Sequence, residues 1–260
     1  MPATHKTTVI SNEQLSPNSW RLLLAAQALA EQAQPGQFVQ VRVTATYDPL
    51  LRTPLSMHDC DPAQGTLTLL YQTVGTSTRM LSRLQAGTEL DVLGPLGHGF
   101  VLPEHGERGS AILLAGGIGV APLLFLAREL VKKHIDTSLL FGARSAADLV
   151  GIADFEQIGV TVTCCTNDGS QGISGNVIDL LDNYLQSHVA GRVFACGPIP
   201  MLKALQGLAK QRDLAAQLSL EAYMACGLGA CLGCAVAVPG GGFAHVCTDG
   251  PVFKESEVEL

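Results

Sequence analysis

The chain is poor in charged and aromatic residues. Charged side chains make up 15% of its 260 residues, and it contains one Trp and four Tyr. Hydrophobic residues reach 47%, which excludes an intrinsically disordered chain because enough apolar surface is available for burial. The apolar residues are mainly aliphatic, as expected for packed sheets and helices. The length fits two compact domains with a smaller third part.

Basic residues are scarce as well. Sixteen Lys and Arg stand against 23 Asp and Glu, which gives a formal net charge of -7. Binding to nucleic acid depends on basic contacts to phosphates, so we expect no nucleic-acid partner.

The sequence also lacks the features of membrane and secreted proteins. An uncharged run over residues 111–127 is interrupted by Gly116, Gly117, Gly119 and Pro122, which favours strand, turn and helix over a membrane span. Residues 1–13 have no apolar core of the kind a secretory signal needs. We expect no membrane contact and a cytoplasmic location. There, eight cysteines indicate metal or redox chemistry rather than disulfides.

Local patterns divide the chain into three parts. Short β-rich runs at 7–10, 20–24, 37–43, 66–72 and 89–93 predict an antiparallel β-barrel over residues 1–102. After a polar linker at 103–110, strands (111–115, 138–142, 160–165, 192–196) alternate with helices (122–134, 145–157, 176–186, 199–211). This alternation predicts a doubly wound parallel α/β domain over residues 108–216. The Gly- and Cys-rich remainder forms a small module over residues 217–260.

Four cysteines in this module have a distinctive spacing. Cys226, Cys231, Cys234 and Cys247 follow the pattern C-x4-C-x2-C-x12-C, and the first three match the spacing of plant-type [2Fe-2S] ferredoxins. The glycines between them allow a tight loop whose N–H groups point at sulfur. Zinc is the alternative, although structural zinc sites usually pair two C-x2-C knuckles and only one is present. Thiols without any metal are the third possibility.

A glycine-rich turn lies between a predicted strand and a predicted helix. Gly116, Gly117 and Gly119 would let a pyrophosphate approach the backbone, and the helix that follows would offer unpaired N–H groups to it. The turn is not the full G-x-G-x-x-G fingerprint, and Pro122 is also compatible with plain capping. A second turn, Cys196-Gly197-Pro198, ends a later strand, where a ligand lying across the sheet would meet it.

These two turns together resemble the nicotinamide domain of the ferredoxin-NADP reductase superfamily, in which a flavin-binding barrel comes first. The resemblance implies FAD in the barrel and a nicotinamide nucleotide at the two turns. The superfamily's barrel motif is Arg, any residue, an aromatic residue, then Ser or Thr. Here Thr53 holds the arginine position and Arg52 is displaced by one residue. The implied FAD contacts are Arg52, Thr53, Pro54, Leu55, Ser56, Leu70, Tyr71, Gln72, Ser77 and Thr78.

Residues around the cysteines resemble one particular branch of this superfamily. The stretches MACGLGAC at 224–231 and VCTDGPVF at 246–253 are similar to the electron-transfer subunits of class 1B dihydroorotate dehydrogenases. That family implies FAD, a [2Fe-2S] cluster on the four cysteines, NAD, and no catalytic side chain. It also implies an FMN-containing dihydroorotate dehydrogenase catalytic subunit as partner, in a heterotetramer of two of each, serving pyrimidine biosynthesis.

Other functions remain open at this stage. Related subunits of hydrogenases, sulfite reductases and NADH-dependent ferredoxin:NADP oxidoreductases share the same plan. A stand-alone NADH-dependent reductase and a zinc-bound regulatory protein are further alternatives. For the nucleotide, Asp168 after the third α/β strand, with no Lys or Arg beside it, favours NAD, whereas Arg144 would suit NADP.

A docking face is also predicted in the cysteine module. Leu228 and Leu232 lie among the cysteines, in a segment where acidic residues outnumber basic ones. An apolar patch with a charged rim is typical of a specific interface. The alternative is that these leucines pack a small core.

Overall fold

The computed structural model describes residues 2–103, 109–188 and 191–260. Its N-terminal part is a closed antiparallel barrel with strand order β1-β2-β5-β4-β3-β6, which confirms the predicted barrel. Short helices α1 (Gln27–Ala30) and α2 (Thr76–Leu81) connect some of the strands. The strands are β1 (Ala3–Gln14), β2 (Ser19–Ala25), β3 (Phe38–Arg42), β4 (Thr53–Asp61), β5 (Thr66–Gln72) and β6 (Glu89–Leu96).

Strand β4 is the barrel strand that the sequence pattern does not predict. Pro54, His58 and Asp59 interrupt its apolar alternation, so no local signal marks it. The strand forms because it pairs with β3 on one side and with β5 on the other. Its start carries the residues that the resemblance assigns to FAD.

Strand β3 separates the barrel interior from the rest of the molecule. Val39 and Val41 are fully buried in the barrel core. Phe38 and Gln40 alternate with them, and Phe38 packs instead with the C-terminal part of the chain. This face of β3 is therefore a contact surface between the barrel and the cysteine module.

The central part is a sheet with the order β10-β9-β8-β7-β11-β12-β15, parallel from β10 to β12, which confirms the predicted α/β architecture. One face packs against α3 and α4, and the other against α5 and α6. The elements are β7 (Ser110–Gly116), α3 (Leu123–Lys132), β8 (Asp136–Ala143), α4 (Ile152–Gln157), β9 (Thr161–Thr166), β10 (Ile173–Ser174), α5 (Val177–Tyr184), β11 (Arg192–Cys196), α6 (Ile199–Arg212) and β12 (Ala216–Ser219).

The helix expected over residues 145–157 is wrong in its extent. A 3-10 turn covers Ala146–Asp148, and α4 begins only at Ile152. Gly151, between them, has a φ of +80°, a left-handed conformation that breaks a right-handed helix. Most of the predicted linker, residues 104–108, lies outside the described part of the chain.

The C-terminal part contains β13 (Ala235–Ala237), β14 (Phe243–His245) and β15 (Val252–Lys254). The first two form a hairpin, whereas β15 pairs antiparallel with β12, placing Phe253 opposite Leu218. The cysteine module therefore shares a sheet with the α/β part, and the expected boundary at 216/217 falls inside β12. None of the described helices is long and apolar enough to cross a membrane.

The barrel and the α/β part meet between β4 and the start of α3. Asp59 accepts a 2.7 Å hydrogen bond from the Arg128 guanidinium, and Arg21 pairs with Asp154. His58 Nδ1 donates to the Ala121 carbonyl at 2.8 Å. Burial lowers the pKa of His58 to about 4, and the charges of Arg21 and Arg128 act in the same direction.

This buried histidine predicts a pH-dependent stability. Unfolded His58 binds a proton below its ordinary pKa of 6.5, whereas folded His58 stays neutral down to about pH 4. Stability contributed by the neutral ring is therefore present above pH 6.5 and is lost as the pH falls through that window, by about 3 kcal/mol in total. We expect the His58→Asn variant, which keeps an N–H donor, to lose less stability than the wild type between pH 6.5 and 4.

The measurement is thermal unfolding across that pH range, with the difference between the two proteins isolating this group from the carboxylates that both share. The His134→Asn variant is the control, because His134 is exposed. Parallel pH curves for wild type and His58→Asn would contradict the prediction.

Candidate functional site

A cleft of about 570 Å³ lies at the carboxyl ends of the parallel strands. The glycine-rich turn follows β7, and the turn Cys196-Gly197-Pro198 follows β11. These strands are neighbours, with Cys196 opposite Ala115. The next strands in the chain, β8 to β10, lie on one side of β7, and the later strands β11 and β12 lie on its other side. The strand order therefore reverses at β7, which is the position where open α/β sheets bind ligands.

The two turns pack backbone against backbone. A Cβ atom on Gly119 would lie 2.3 Å from the Cys196 carbonyl oxygen, so only glycine allows this approach. Gly117 has a φ of +54°, and its open side faces no other atom within 4 Å. The cleft is lined by Gly116, Gly117, Gly119, Gly197 and Pro198, whereas Cys196 is buried behind them. The structure thus brings the predicted nucleotide turns together.

The outer end of the cleft differs from the sequence-based expectation. Asp168 does not line it, and its carboxylate accepts hydrogen bonds from the Ser170 amide at 2.9 Å and the Ser170 hydroxyl at 2.6 Å. The acidic residue next to Arg144 in the cleft wall is Asp148, whose carboxylate lies 3.8 Å from the Arg144 guanidinium. The opposing charges considered for nucleotide choice are therefore Asp148 and Arg144.

A second cavity of about 350 Å³ lies between the barrel and the C-terminal part. Eight of the residues expected to contact FAD line it: Thr53, Pro54, Leu55, Ser56, Leu70, Tyr71, Gln72 and Thr78. The sequence reasoning missed the other lining residues, which include Phe38, Tyr223 and Met224. Their role depends on the contact of the C-terminal part with the barrel, which no local motif encodes.

The structure does not bring Arg52 and Ser77 into this cavity. The Arg52 guanidinium pairs with Asp91 on β6, at 2.7 Å to the carboxylate and 3.0 Å to the carbonyl oxygen. Its displacement by one residue from the family position thus accompanies a different partner. Thr78 lines the cavity, and its hydroxyl accepts hydrogen bonds from the amides of Val74 and Gly75, which closes the turn before α2.

The two cavities share three lining residues, Gln72, Ile118 and Glu221. Glu221 is accessible through the cleft, yet the protein packed around it raises the pKa of its carboxyl group. Burial also raises the pKa of the Cys196 thiol, and the Glu221 charge adds to the effect. The sequence reasoning missed Glu221. Glu221 follows the end of β12, and a polar residue at the end of a parallel strand would have indicated the cleft. The sequence pattern does not predict β12, so this signal could not be used.

The cysteine loop directs backbone N–H groups at sulfur. Cys226 Sγ accepts from the amides of Leu228 and Cys231, both at 3.4 Å. The amide of Leu228 is the main reason that the pKa of Cys226 is lowered, to about 7. A lowered pKa favours the thiolate, which is the form that binds metal.

Cys247 and Cys234 accept similar bonds. The Gly229 amide donates to Cys247 Sγ at 3.3 Å, and the Cys247 amide donates to Cys234 Sγ at 3.4 Å. Burial raises the pKa of the Cys247 thiol to about 11. A Cβ atom on Gly229 would lie 2.9 Å from a methyl carbon of Thr248, so this tight wrapping needs glycine.

This donor set fits a binuclear cluster. The four thiols lie near one another, since Cys231 contributes to the lowered pKa of Cys226 and both Cys234 and Cys226 raise the pKa of Cys247. Their sulfurs accept backbone N–H bonds in a loop with the cysteine spacing of plant-type ferredoxins, which suits a [2Fe-2S] cluster.

Comparisons with known proteins agree with this geometry. Residues 221–259 match the family described as the iron-sulfur cluster binding domain of dihydroorotate dehydrogenase B. Residues 113–207 match the oxidoreductase NAD-binding domain.

Solved structures share the fold. The NADH-dependent reduced ferredoxin-NADP oxidoreductase structure gives a TM-score of 0.87 at 28% identity, over 97% of this chain and 89% of that chain. A ferredoxin NADP+ reductase from Neisseria gonorrhoeae, with bound FAD and NADP, gives 0.67 at 18% identity, over 80% of this chain and 91% of that chain. The second likeness shows the fold alone.

Relatives with named functions match over the whole length. The dihydroorotate dehydrogenase B (NAD(+)) electron transfer subunit of Geobacillus thermodenitrificans is 40% identical, and that of Bacillus caldolyticus is 41% identical, each over 100% of both chains. With the cysteine module and the nucleotide turns in place, this identity shows that the chain belongs to the family of dihydroorotate dehydrogenase B electron transfer subunits.

Proposed function

We propose that this chain transfers electrons from a dihydroorotate-oxidising partner to NAD+, using a [2Fe-2S] cluster and FAD. The observation that carries the proposal is the continuity of the sites. The nucleotide cleft and the barrel cavity share Gln72, Ile118 and Glu221. The segment that forms this junction, residues 220–224, leads directly to Cys226.

The chain's own residues supply binding and position. Gly117 faces open space where a pyrophosphate could approach the backbone, Gly116 and Gly119 let the two turns pack closely, and α3 begins just beyond them with no side-chain cap on its first N–H groups. The four cysteines would hold the cluster, and the barrel cavity would hold FAD. A flavin, when bound, accepts electrons singly from an iron-sulfur cluster and passes a hydride to nicotinamide. No side chain of this chain is assigned to acid–base chemistry.

The partner is proposed to be an FMN-containing dihydroorotate dehydrogenase catalytic subunit, in a cytoplasmic heterotetramer of two of each. The relatives are named electron transfer subunits, which implies a catalytic partner for them. Leu228 and Leu232 of the cysteine loop support a docking face, because their side chains are 49% and 60% exposed instead of packing a core. The nearby apolar residues Val252 and Phe253 are buried, so they are not part of this exposed face.

A second candidate is a reductase subunit of another complex. The 28% identity and high structural similarity to the NADH-dependent reduced ferredoxin-NADP oxidoreductase favour it. Reduced ferredoxin in place of dihydroorotate, in the assay below, distinguishes the two.

The first test concerns the source of electrons. We expect the isolated chain, loaded with FAD and cluster, to reduce an artificial dye with NADH but to leave dihydroorotate unchanged. Addition of the FMN-containing partner should give dihydroorotate-dependent NAD+ reduction, followed by NADH absorbance. Turnover of dihydroorotate by the chain alone, or its absence in the complex, would contradict the proposal.

The second test concerns docking. Leu228→Glu and Leu232→Glu each place a charge in the exposed apolar loop, and the double variant should weaken complex formation at least tenfold, because desolvating an unpaired charge is costly. Its dye activity and cluster spectrum should persist. Ile173→Glu is the matched control, since Ile173 is 55% exposed but lies on β10, at the opposite end of the sheet from β15. An intact complex in the double variant, measured by gel filtration, would show that another face docks.

The third test concerns nucleotide choice. The Asp148 carboxylate at the cleft wall should repel a ribose 2′-phosphate, so Asp148→Asn should raise kcat/KM for NADPH relative to NADH by about tenfold, within the range of a screened charge pair. Asp168→Asn is the control, because that carboxylate is held by Ser170. If the ratio of kcat/KM for NADPH to that for NADH changed in Asp168→Asn and not in Asp148→Asn, Asp168 would be the residue that selects the nucleotide.

A further inference from the structure

Gln40 on β3 has a buried side-chain amide without a partner. The residue is 0% exposed, and neither its Nε2 nor its Oε1 atom makes a hydrogen bond within the described chain. Buried amides in folded proteins almost always have partners. This amide therefore points to an acceptor or donor that is not part of the polypeptide.

The amide lies between the barrel and the cysteine loop. On β3, Gln40 is opposite Pro54 of β4 and Leu93 of β6. A Cβ atom on Gly227 would lie only 2.4 Å from Gln40 Nε2 and 3.3 Å from a methyl carbon of Leu96. Gly227 follows Cys226 directly, so the amide nitrogen sits under the part of the loop that carries the first cysteine.

The neighbouring side chains do not satisfy this amide. The side chains identified beside Gln40 offer it no hydrogen-bond partner, because those of Pro54, Leu93 and Leu96 are apolar. The flavin is also an unsuitable partner. Phe38 and Pro54 line the barrel cavity, but Gln40 does not. What remains next to the amide is the cysteine loop and what it holds.

We infer that Gln40 is a positioning residue for the iron-sulfur cluster, and that its amide N–H donates a hydrogen bond to an inorganic sulfide of the cluster. The inference rests on the proposed function only in requiring a bound cluster. Reduction adds negative charge to the cluster, and a hydrogen bond to sulfur stabilises that charge. Gln40 thereby raises the reduction potential of the cluster.

The test is a redox titration of the holoenzyme followed by electron paramagnetic resonance of the reduced cluster. The Gln40→Met variant keeps a similar side-chain volume without the N–H donor. We expect its cluster to be about tenfold harder to reduce, a shift of about 59 mV for a one-electron couple. The FAD potential should stay unchanged.

Gln37→Met is the matched control. Its amide already donates to the Gly97 carbonyl at 2.9 Å, away from the cysteine loop, so the same substitution should leave the cluster potential unchanged. An unaltered cluster potential in Gln40→Met with full iron content would overturn the inference. A shift of the FAD potential alone would overturn it as well, because it would assign the amide to the flavin.

A second measurement does not depend on the variant retaining its cluster. In the unchanged holoenzyme labelled with ¹⁵N only at glutamine side-chain amides, pulsed electron paramagnetic resonance should detect a ¹⁵N coupling to the reduced cluster. Absence of that coupling would also overturn the inference. Failure of the proposed function is seen separately, as loss of dihydroorotate-dependent NAD+ reduction by the wild-type complex.

Discussion

The antiparallel pairing of β12 with β15 is the contact on which the arrangement of the three sites depends. Ser219 lies opposite Val252, and the Leu220 amide donates to the Pro251 carbonyl at 2.8 Å. Both ends of the cysteine module are therefore fastened to one strand of the α/β sheet. The chain leaves that strand along the barrel cavity and returns past the His98 amide, which donates to Gly250. A sheet, not a flexible linker, holds the cysteine loop beside the barrel cavity.

Much of this architecture is encoded locally. Short alternating runs predicted most of the barrel, and the regular alternation of strands and helices predicted the parallel sheet, because each element carries its own hydrophobic period. Strand β4 was not predicted because its stability comes from pairing with neighbours on both sides. The position of β15 was not predicted for the same reason. A three-residue strand has no hydrophobic period of its own, and its pairing with β12 sets its position.

The candidate site shows the same division. The glycine turns and the cysteine spacing could be found in the sequence, because a close backbone approach and a tight metal loop each demand particular residues at fixed intervals. Glu221, Tyr223 and Gln40 could not be found, since their importance arises from the meeting of distant segments. Asp168 shows why such a signal is ambiguous: a carboxylate after a strand can serve a ligand or its own turn, and here it accepts hydrogen bonds from Ser170.

The edges of the seven-stranded sheet have a consequence for self-association. One edge is β10, with two residues, and the other is β15, with three. Exposed strand edges offer free N–H and C=O groups to other chains, and very short edge strands offer few of them. The long inner strands are enclosed between these two. Exposed Leu228 and Leu232 already favour association with other molecules. The short edge strands limit the further aggregation that a long open sheet edge would cause.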